Sequence, residues 1–415
     1  MIPQNIIAVL LPLIIAPTNI LALSSSSVTS STQQKTIRIG TRPSPLAKIQ
    51  ANAVANALQK ILHSSNDDTM IEIIEISSTG DQSQSSTSRT SSKSASPSST
   101  SSNIQAQPLA VQSVDFTGTL DHALLNNEID IAVHSLKDIP PSDRWRNGIE
   151  IASCLEREDP LDVLVVPKKK DGTGDPLCTS IQNLRKGARI GTSSVRRQAQ
   201  LSHLRKDLEL VNLRGNVGSR LNALEDGTVD ALLLASAGLN RLIASTNTGI
   251  DTNTKRQAFY PSLCWSDIPA EELLSGACQG IVASTCRSTD STTLNLLREI
   301  DHCDSSIAAA AERAFLDGLD SFRPALYQGS PEWIGRPPLA ALLRREVIVN
   351  TSASVSTVGE VGWIFQGILA RPDGSRVLKT LEKVAGVLSI EDANILGKDQ
   401  AKKLLLEAGS DFYQL

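Results

Sequence analysis

Aromatic residues are scarce in this chain of 415 residues: Phe, Trp and Tyr together make 3%. That shortage argues against a surface that stacks nucleobases. Excess positive charge is missing too, since 40 Lys and Arg stand against 44 Asp and Glu, a net charge of -4. Nucleic acid is therefore a poor partner, and any anion must be met by local arginine clusters. Six cysteines and five histidines are present, with no C-x-x-C pair. Cys154, Cys178, Cys264, Cys278, Cys286 and Cys303 are too scattered for a zinc site and read as thiols kept in a reducing compartment. Long hydrophobic runs are also lacking: the apolar stretch at 6–16 is too short to span a bilayer comfortably.

What is present begins with an unusual leader. The apolar stretch is followed by a second patch at 19–23 and by an almost pure Ser/Thr run at 24–32, and no acidic residue precedes Asp67. Residues 1–34 read as a targeting presequence, of the bipartite kind that directs proteins to complex plastids; a simple secretory signal or a disordered tail is the alternative. The mature protein is expected to have no membrane segment and to be a monomer.

Folded structure is expected from Lys35. The β-branched run 36–41 reads as a strand, Ser44-Pro45 as the cap and first turn of a helix reaching 62, and 70–77 as a second strand. Strand, helix, strand suggests a parallel βαβ unit. Residues 77–107 are dominated by Ser, Thr and Gln and read as a disordered insertion. A helix at 119–126 and strands at 129–134 and 163–166 follow. A second alternating unit runs from 188, with strands at 189–191, 208–213 and 230–235 and helices at 194–203, 220–224 and 238–243. After 301 come an Ala-rich helix at 307–319, a Pro- and Arg-rich segment at 321–346 with no assigned element, a β-hairpin across Pro372-Asp373-Gly374, and a last helix at 399–409.

The placing of the arginines carries the functional signal. Arg42, Arg196, Arg197, Arg214, Arg220 and Arg241 are expected at strand ends or early helix turns. Singly, each is an ordinary surface arginine. Together they line the edge where open α/β sheets bind ligands, and a planar guanidinium grips a carboxylate with two prongs. A cleft for a ligand bearing carboxylates or phosphates follows. In the run from Ala132 to Pro140 a strand end delivers Lys137 and Asp138 side by side, a pair suited to stabilising a cation or relaying a proton.

These segments resemble the porphobilinogen deaminase (hydroxymethylbilane synthase) family. The matching pieces are IRIGTRPSPLA (37–47), EIDIAVHSLKDIP (128–140), RIGTSSVRRQAQL (189–201), LRGNVGSRL (213–221), DALLLASAGLNRL (230–242), CQG (278–280), AERAFL (311–316) and ARPDGS (370–375), in the family's order. The resemblance implies an α/β chain of two type-II periplasmic-binding-protein-like domains plus a small C-terminal α+β domain. The first domain would comprise 35–153 and 263–300, the second 154–262, and the third 301–415. It implies a transferase that condenses four porphobilinogen molecules, with loss of ammonia, into hydroxymethylbilane on the route to haem and chlorophyll. Its partners would be porphobilinogen and the growing linear bilane. The catalytic Asp of the family matches Asp138. Positions that hold the carboxylate arms match Arg42, Ser44, Ser194, Arg196, Arg197, Arg214, Arg220 and Arg241, and Lys137 matches a cofactor contact.

Two segments depart from the family's pattern. A dipyrromethane cofactor is implied, thioether-linked to a Cys just after the AERAFL helix. Near Phe322, where that Cys is expected, the chain reads Leu319-Asp320-Ser321-Phe322-Arg323-Pro324, without one. Two anion-binding lysines of the family are replaced by Ser113 and Gly118, with Asp115 between them. The expectation is therefore split between an active deaminase and a catalytically impaired paralogue that binds pyrroles or bilanes in the same cleft.

Overall fold

A computed structural model describes residues 35–77, 117–140, 147–169, 178–244, 256, 258–320, 338–348 and 360–412. The presequence, most of the Ser-rich insertion, and Ser113, Asp115, Phe322 and Arg323 lie outside the described residues. Residues from Lys35 to Leu415 form one compact unit.

Two five-stranded sheets carry the first part of the unit. The first contains β1 (Thr36–Thr41), β2 (Met70–Glu75), β3 (Ile131–Ser135), β4 (Ile149–Cys154) and β10 (Val282–Arg287), in the order β2-β1-β3-β10-β4. The second contains β5 (Asp162–Pro167), β6 (Arg189–Gly191), β7 (Glu209–Val211), β8 (Ala231–Ala235) and β9 (Leu263–Ile268), in the order β7-β6-β8-β5-β9. Both follow one plan. Three parallel strands are followed by an antiparallel one borrowed from elsewhere in the chain: β10 against β3 and β4, and β5 against β8 and β9. The expected parallel βαβ unit is present, with β1 and β2 joined through α1 (Pro45–Ser64). That helix starts where it does because the Ser44 hydroxyl accepts from Ala47 N and proline occupies the first turn. It buries Ala51, Val54, Leu58 and Leu62 against Ile37, Ile39, Ile131 and Val133.

The sequence boundary at 263 shifts. β9 pairs with β5 along its whole length, so it completes the second sheet, and the chain returns to the first only afterwards. It forms the edge strand of the second sheet, whereas β10 is the strand that re-enters the first.

The third sheet is antiparallel, in the order β11-β12-β13, formed by β11 (Leu339–Ile348), β12 (Glu360–Ala370) and β13 (Val377–Ala385). The expected hairpin is there, closing at Ala370 opposite Val377. β11 overlaps the end of the Pro- and Arg-rich segment to which no element was assigned, and it buries Ala340, Ala341, Leu342 and Leu343. Helices α7 (Cys303–Asp320) and α8 (Ile390–Ala408) cover one face, where Phe315 meets Phe365 edge-on at 5.4 Å. α8 begins nine residues before the expected helix because Ser389 caps it by accepting from Asp392 N. The opposite face rests on the second lobe through Ala199, Ala270, Leu274, Leu342 and Ile368. At the hairpin tip Gly374 (φ 72°) lies so close to Ala199 O that a Cβ would stand 2.5 Å from it. No described helix is long and apolar enough to cross a membrane.

Two crossovers join the lobes, at 155–161 and 269–281. They touch at Gly280, whose φ is 93° and whose Cβ, if it had one, would lie 2.2 Å from Glu158 O. Only glycine allows so close an approach in that conformation.

Candidate active site

The site lies along the facing ends of the two sheets. In the first lobe β3 ends at Ser135 and passes into a 3-10 turn, Leu136–Asp138. Leu136 is fully buried and its N–H donates to Ile281 O at 3.0 Å, which pins the turn to the strand neighbouring it. Lys137 and Asp138 are thereby pushed outward, and both are exposed. Asp138 shares a cavity of about 70 Å³ with Arg42, Ser44, Gln50, His134 and Ser135. Gln50 Nε2 donates to Ser135 Oγ at 2.8 Å. His134 is buried, and that burial, with the charge of Arg42 second, holds its pKa down to about 4, so the ring is neutral. Arg42 is half-buried, directly after β1.

In the second lobe α3 (Val195–Leu204) opens on Ser194, whose hydroxyl accepts from Arg197 N. Arg196 and Arg197 follow in its first turn and are 8% and 5% exposed. Both turn inward. Arg197 grips Asp162 with two prongs, Nη2 to Oδ1 at 2.7 Å and Nε to Oδ2 at 3.1 Å. Arg196 Nη2 reaches Asp162 Oδ2 at 2.8 Å, and its Nη1 reaches Leu274 O at 2.6 Å. Asp162 has no exposure at all. Burial opposes its charge, but the two guanidiniums outweigh burial and hold its carboxyl far below the usual range. Two cations around one anion leave a surplus positive charge in a dry site, where charge acts at long reach. Arg196 and Arg197, expected to hold carboxylate arms, are thus both paired inside the protein with Asp162. They are anchored to an internal carboxylate, and what they present is the surplus charge and their remaining N–H groups.

The other expected residues are spread around this triad. Arg220 lies on α4 (Val217–Glu225), donates through Nε to Gly215 O at 2.9 Å, and is lowered to about 10 by burial and then by the charge of Arg197. Arg214 is exposed, in the connection between β7 and α4. Arg241 lies in the last turn of α5 (Ser236–Ala244), not an early one, and its Nη2 donates to Gly280 O at 2.6 Å across to the crossover. Lys137 completes the link between lobes. It is reached by solvent but crowded by protein, and this desolvation lowers its pKa to about 8, with Arg197 and Arg196 lowering it further against Asp138 and Asp162. The structure thus brings Lys137, Asp162, Arg196, Arg197 and Arg220 into one electrostatic neighbourhood, and Arg42, Ser44 and Asp138 around one cavity.

Three residues escaped sequence reasoning. Asp162 immediately precedes the assigned strand 163–166, and an acid at the head of an apolar strand was itself the signal. Gln279 stood inside the quoted CQG motif without a role. Gln50 sat on the inner face of α1, the only amide among its buried apolar positions.

The residues present fit the carboxylate arms of a dipyrromethane: a cationic floor, Arg42 beside a cavity, and an exposed carboxylate opposite. They do not supply its thiol. Among the described cysteines, Cys154, Cys278 and Cys286 are buried with pKa pushed up to about 12 or beyond, which makes them poor nucleophiles. Exposed Cys303 lies at the far end of α7, about 27 Å of helix from Asp320.

A family model described as porphobilinogen deaminase, dipyromethane cofactor binding domain, matches residues 37–295. The chloroplastic porphobilinogen deaminase of Oryza sativa subsp. japonica is 33% identical over 91% of this chain and 85% of its own. That of Pisum sativum is 33% identical over 94% and 87%. The porphobilinogen deaminase of Trichlorobacter lovleyi is 32% identical over 92% and 97%. An ancestral arginine-binding protein bound to arginine is similar in structure over 64% of this chain and 91% of its own, at 14% identity and a TM-score of 0.34. Matched by that model over most of its length and by full-length relatives at a third identity, the chain belongs to the porphobilinogen deaminase family.

Proposed function

We propose that this protein is a hydroxymethylbilane synthase, condensing four porphobilinogen molecules head to tail with loss of ammonia. The observation that carries this reading is the 3-10 turn that places Lys137 and Asp138 beside the Arg196–Asp162–Arg197 triad. When bound, a dipyrromethane supplies the pyrrole carbon to which units are added. Arg42, Ser44, Ser194, Arg214, Arg220 and Arg241 hold carboxylate arms of substrate and product, with the surplus charge of the triad drawing them in. Asp138, exposed at the end of the turn, accepts pyrrole N–H hydrogen bonds and offsets the positive charge that develops as the amine leaves. Lys137 contributes a second, titratable cation on the floor.

A second reading is favoured by one observation, the sequence Leu319 to Pro324 without a cysteine. In it, the cleft holds pyrroles or bilanes without covalent priming and without turnover. One experiment separates the two. The purified protein is weighed by mass spectrometry, treated with Ehrlich's reagent and incubated with porphobilinogen. A dipyrrole-sized mass increment, a coloured adduct and a linear tetrapyrrole product support the synthase. A bare polypeptide mass with saturable porphobilinogen binding and no product overturns it in favour of the second reading. Plastid delivery is part of the proposal, supported by residues 1–34 and by two plant relatives named chloroplastic. A fusion of that leader to a fluorescent protein that stays outside plastids sinks it.

A further inference from the structure

Gln279 lies at the point where the two crossovers, both lobes and the floor of the cleft meet. Its amide Nε2 points at three oxygens: Pro160 O at 2.8 Å, Asp162 Oδ1 at 2.9 Å and Leu161 O at 3.2 Å. All three only accept, so turning the amide over would set oxygen against oxygen. The residue is 2% exposed, which leaves no water to relieve such a clash. The orientation of the amide is thus dictated by its surroundings, and its Oε1 faces Lys137, whose Nζ donates to it at 3.3 Å. The backbone of the same residue is held as well. Gln279 O accepts from Arg157 Nε at 2.9 Å, and Arg157 is paired through Nη1 at 2.6 Å with the fully buried Glu312 of α7. All three domains therefore converge on one residue, whose side chain ends on a cleft lysine.

We propose that Gln279 is a positioning residue: it holds the Lys137 ammonium beside Asp138 and transmits the angle between the two crossovers to the floor of the site. Its effect on catalysis rests on the deaminase reading above, but its effect on Lys137 does not. Four charged groups surround that ammonium, namely Asp138 on its own turn and Asp162, Arg196 and Arg197 from the facing lobe. Two carboxylates and two guanidiniums nearly balance, so the neutral acceptor Oε1 decides where the ammonium sits. If the crossovers change their angle, Pro160, Leu161 and Asp162 carry the amide with them. Lys137 then loses or regains its partner as the lobes move.

The test is competitive labelling of Lys137 in the full chain with acetic anhydride across a pH series, read by peptide mass spectrometry. The unmodified protein is expected to show a midpoint near 8. Gln279→Leu removes the acceptor that favours the charged form, and the midpoint falls by about one unit, a tenfold change in the charged fraction at fixed pH. Gln279→Glu keeps an acceptor and adds negative charge, and the midpoint rises above that of the unmodified protein. A role confined to packing lowers both melting temperatures without splitting the midpoints in opposite directions. Midpoints unchanged to within about 0.2 unit in variants with native circular dichroism overturn the proposal. If one variant does not fold, the other decides by the same criterion. Gln279→Asn, with its amide one methylene short, serves as the mild third variant, and its midpoint is expected between those of Gln279→Leu and the unmodified protein. Because labelling needs no turnover, moved midpoints without bilane formation would sink the functional reading and leave this one standing. Bilane formation with fixed midpoints would do the reverse.

Discussion

Replacing Asp162 with asparagine is the sharpest probe of the site's foundation. The wild-type carboxylate accepts four hydrogen bonds, from Arg196, twice from Arg197, and from Gln279, at zero exposure. Asparagine keeps the shape and one oxygen but turns an N–H2 group toward guanidinium donors, and it raises the enclosed charge from one surplus positive to two. Removing one partner of a buried ion pair costs about 3–5 kcal/mol, against a total folding stability of order 5–15 kcal/mol. The pH dependence follows from the carboxyl being held below its usual range. Its contribution is fully present above the unfolded-state value of about 4 and is lost as pH falls through the folded-state value. Urea unfolding should therefore show a gap between wild type and Asp162→Asn that is full at pH 7 and narrows in acid. A variant within about 1 kcal/mol of wild type at pH 7, or a gap that stays constant down to strongly acid pH, refutes the claim that this carboxylate anchors the two arginines.

Asp138→Ala should abolish bilane formation while leaving the melting curve unchanged, because Asp138 is exposed and Leu136 anchors the turn; retained turnover would remove it from its role. Binding of porphobilinogen carboxylates should weaken as pH rises through about 8, where Lys137 loses its proton; a calorimetric titration that is flat from pH 7 to 9 contradicts this. Arg220 should stay charged across that range and so cannot mimic the effect. Gly280→Ala adds a Cβ at positive φ within 2.2 Å of Glu158 O, and should cost more than about 2 kcal/mol of stability or prevent soluble expression; a variant of wild-type stability rules out the tight crossover contact.

Much of the frame was legible. β1, α1 and β2 announced themselves through a β-branched run, a Ser-Pro helix start and a second apolar run, all local signals. The cavity residues Arg42, Ser44 and Asp138 were found for the same reason: each follows a strand end. What sequence could not give was commitment of charge. Arg196 and Arg197 look alike on the page whether they face solvent or Asp162, and only the pairing of β5 with β8 puts that carboxylate under α3. β10 was missed because its run VASTCR mixes polar and apolar residues, its polar members being buried by partners far away in sequence. β11 was masked by the prolines and arginines around it, although its inner residues are small and apolar.

The place of β10 bears on how the chain comes to be folded at all. It lies between β3 and β4 in the first sheet, yet it is made after every strand of the second. During synthesis from the N-terminus, the second sheet has all its strands by residue 268, while the first still lacks an inner one until residue 287 has emerged. The amino-terminal lobe is therefore the later of the two to close. Until it does, β3 and β4 offer open edges to any neighbouring chain, the form in which a stalled or truncated product of this gene would be most prone to aggregate.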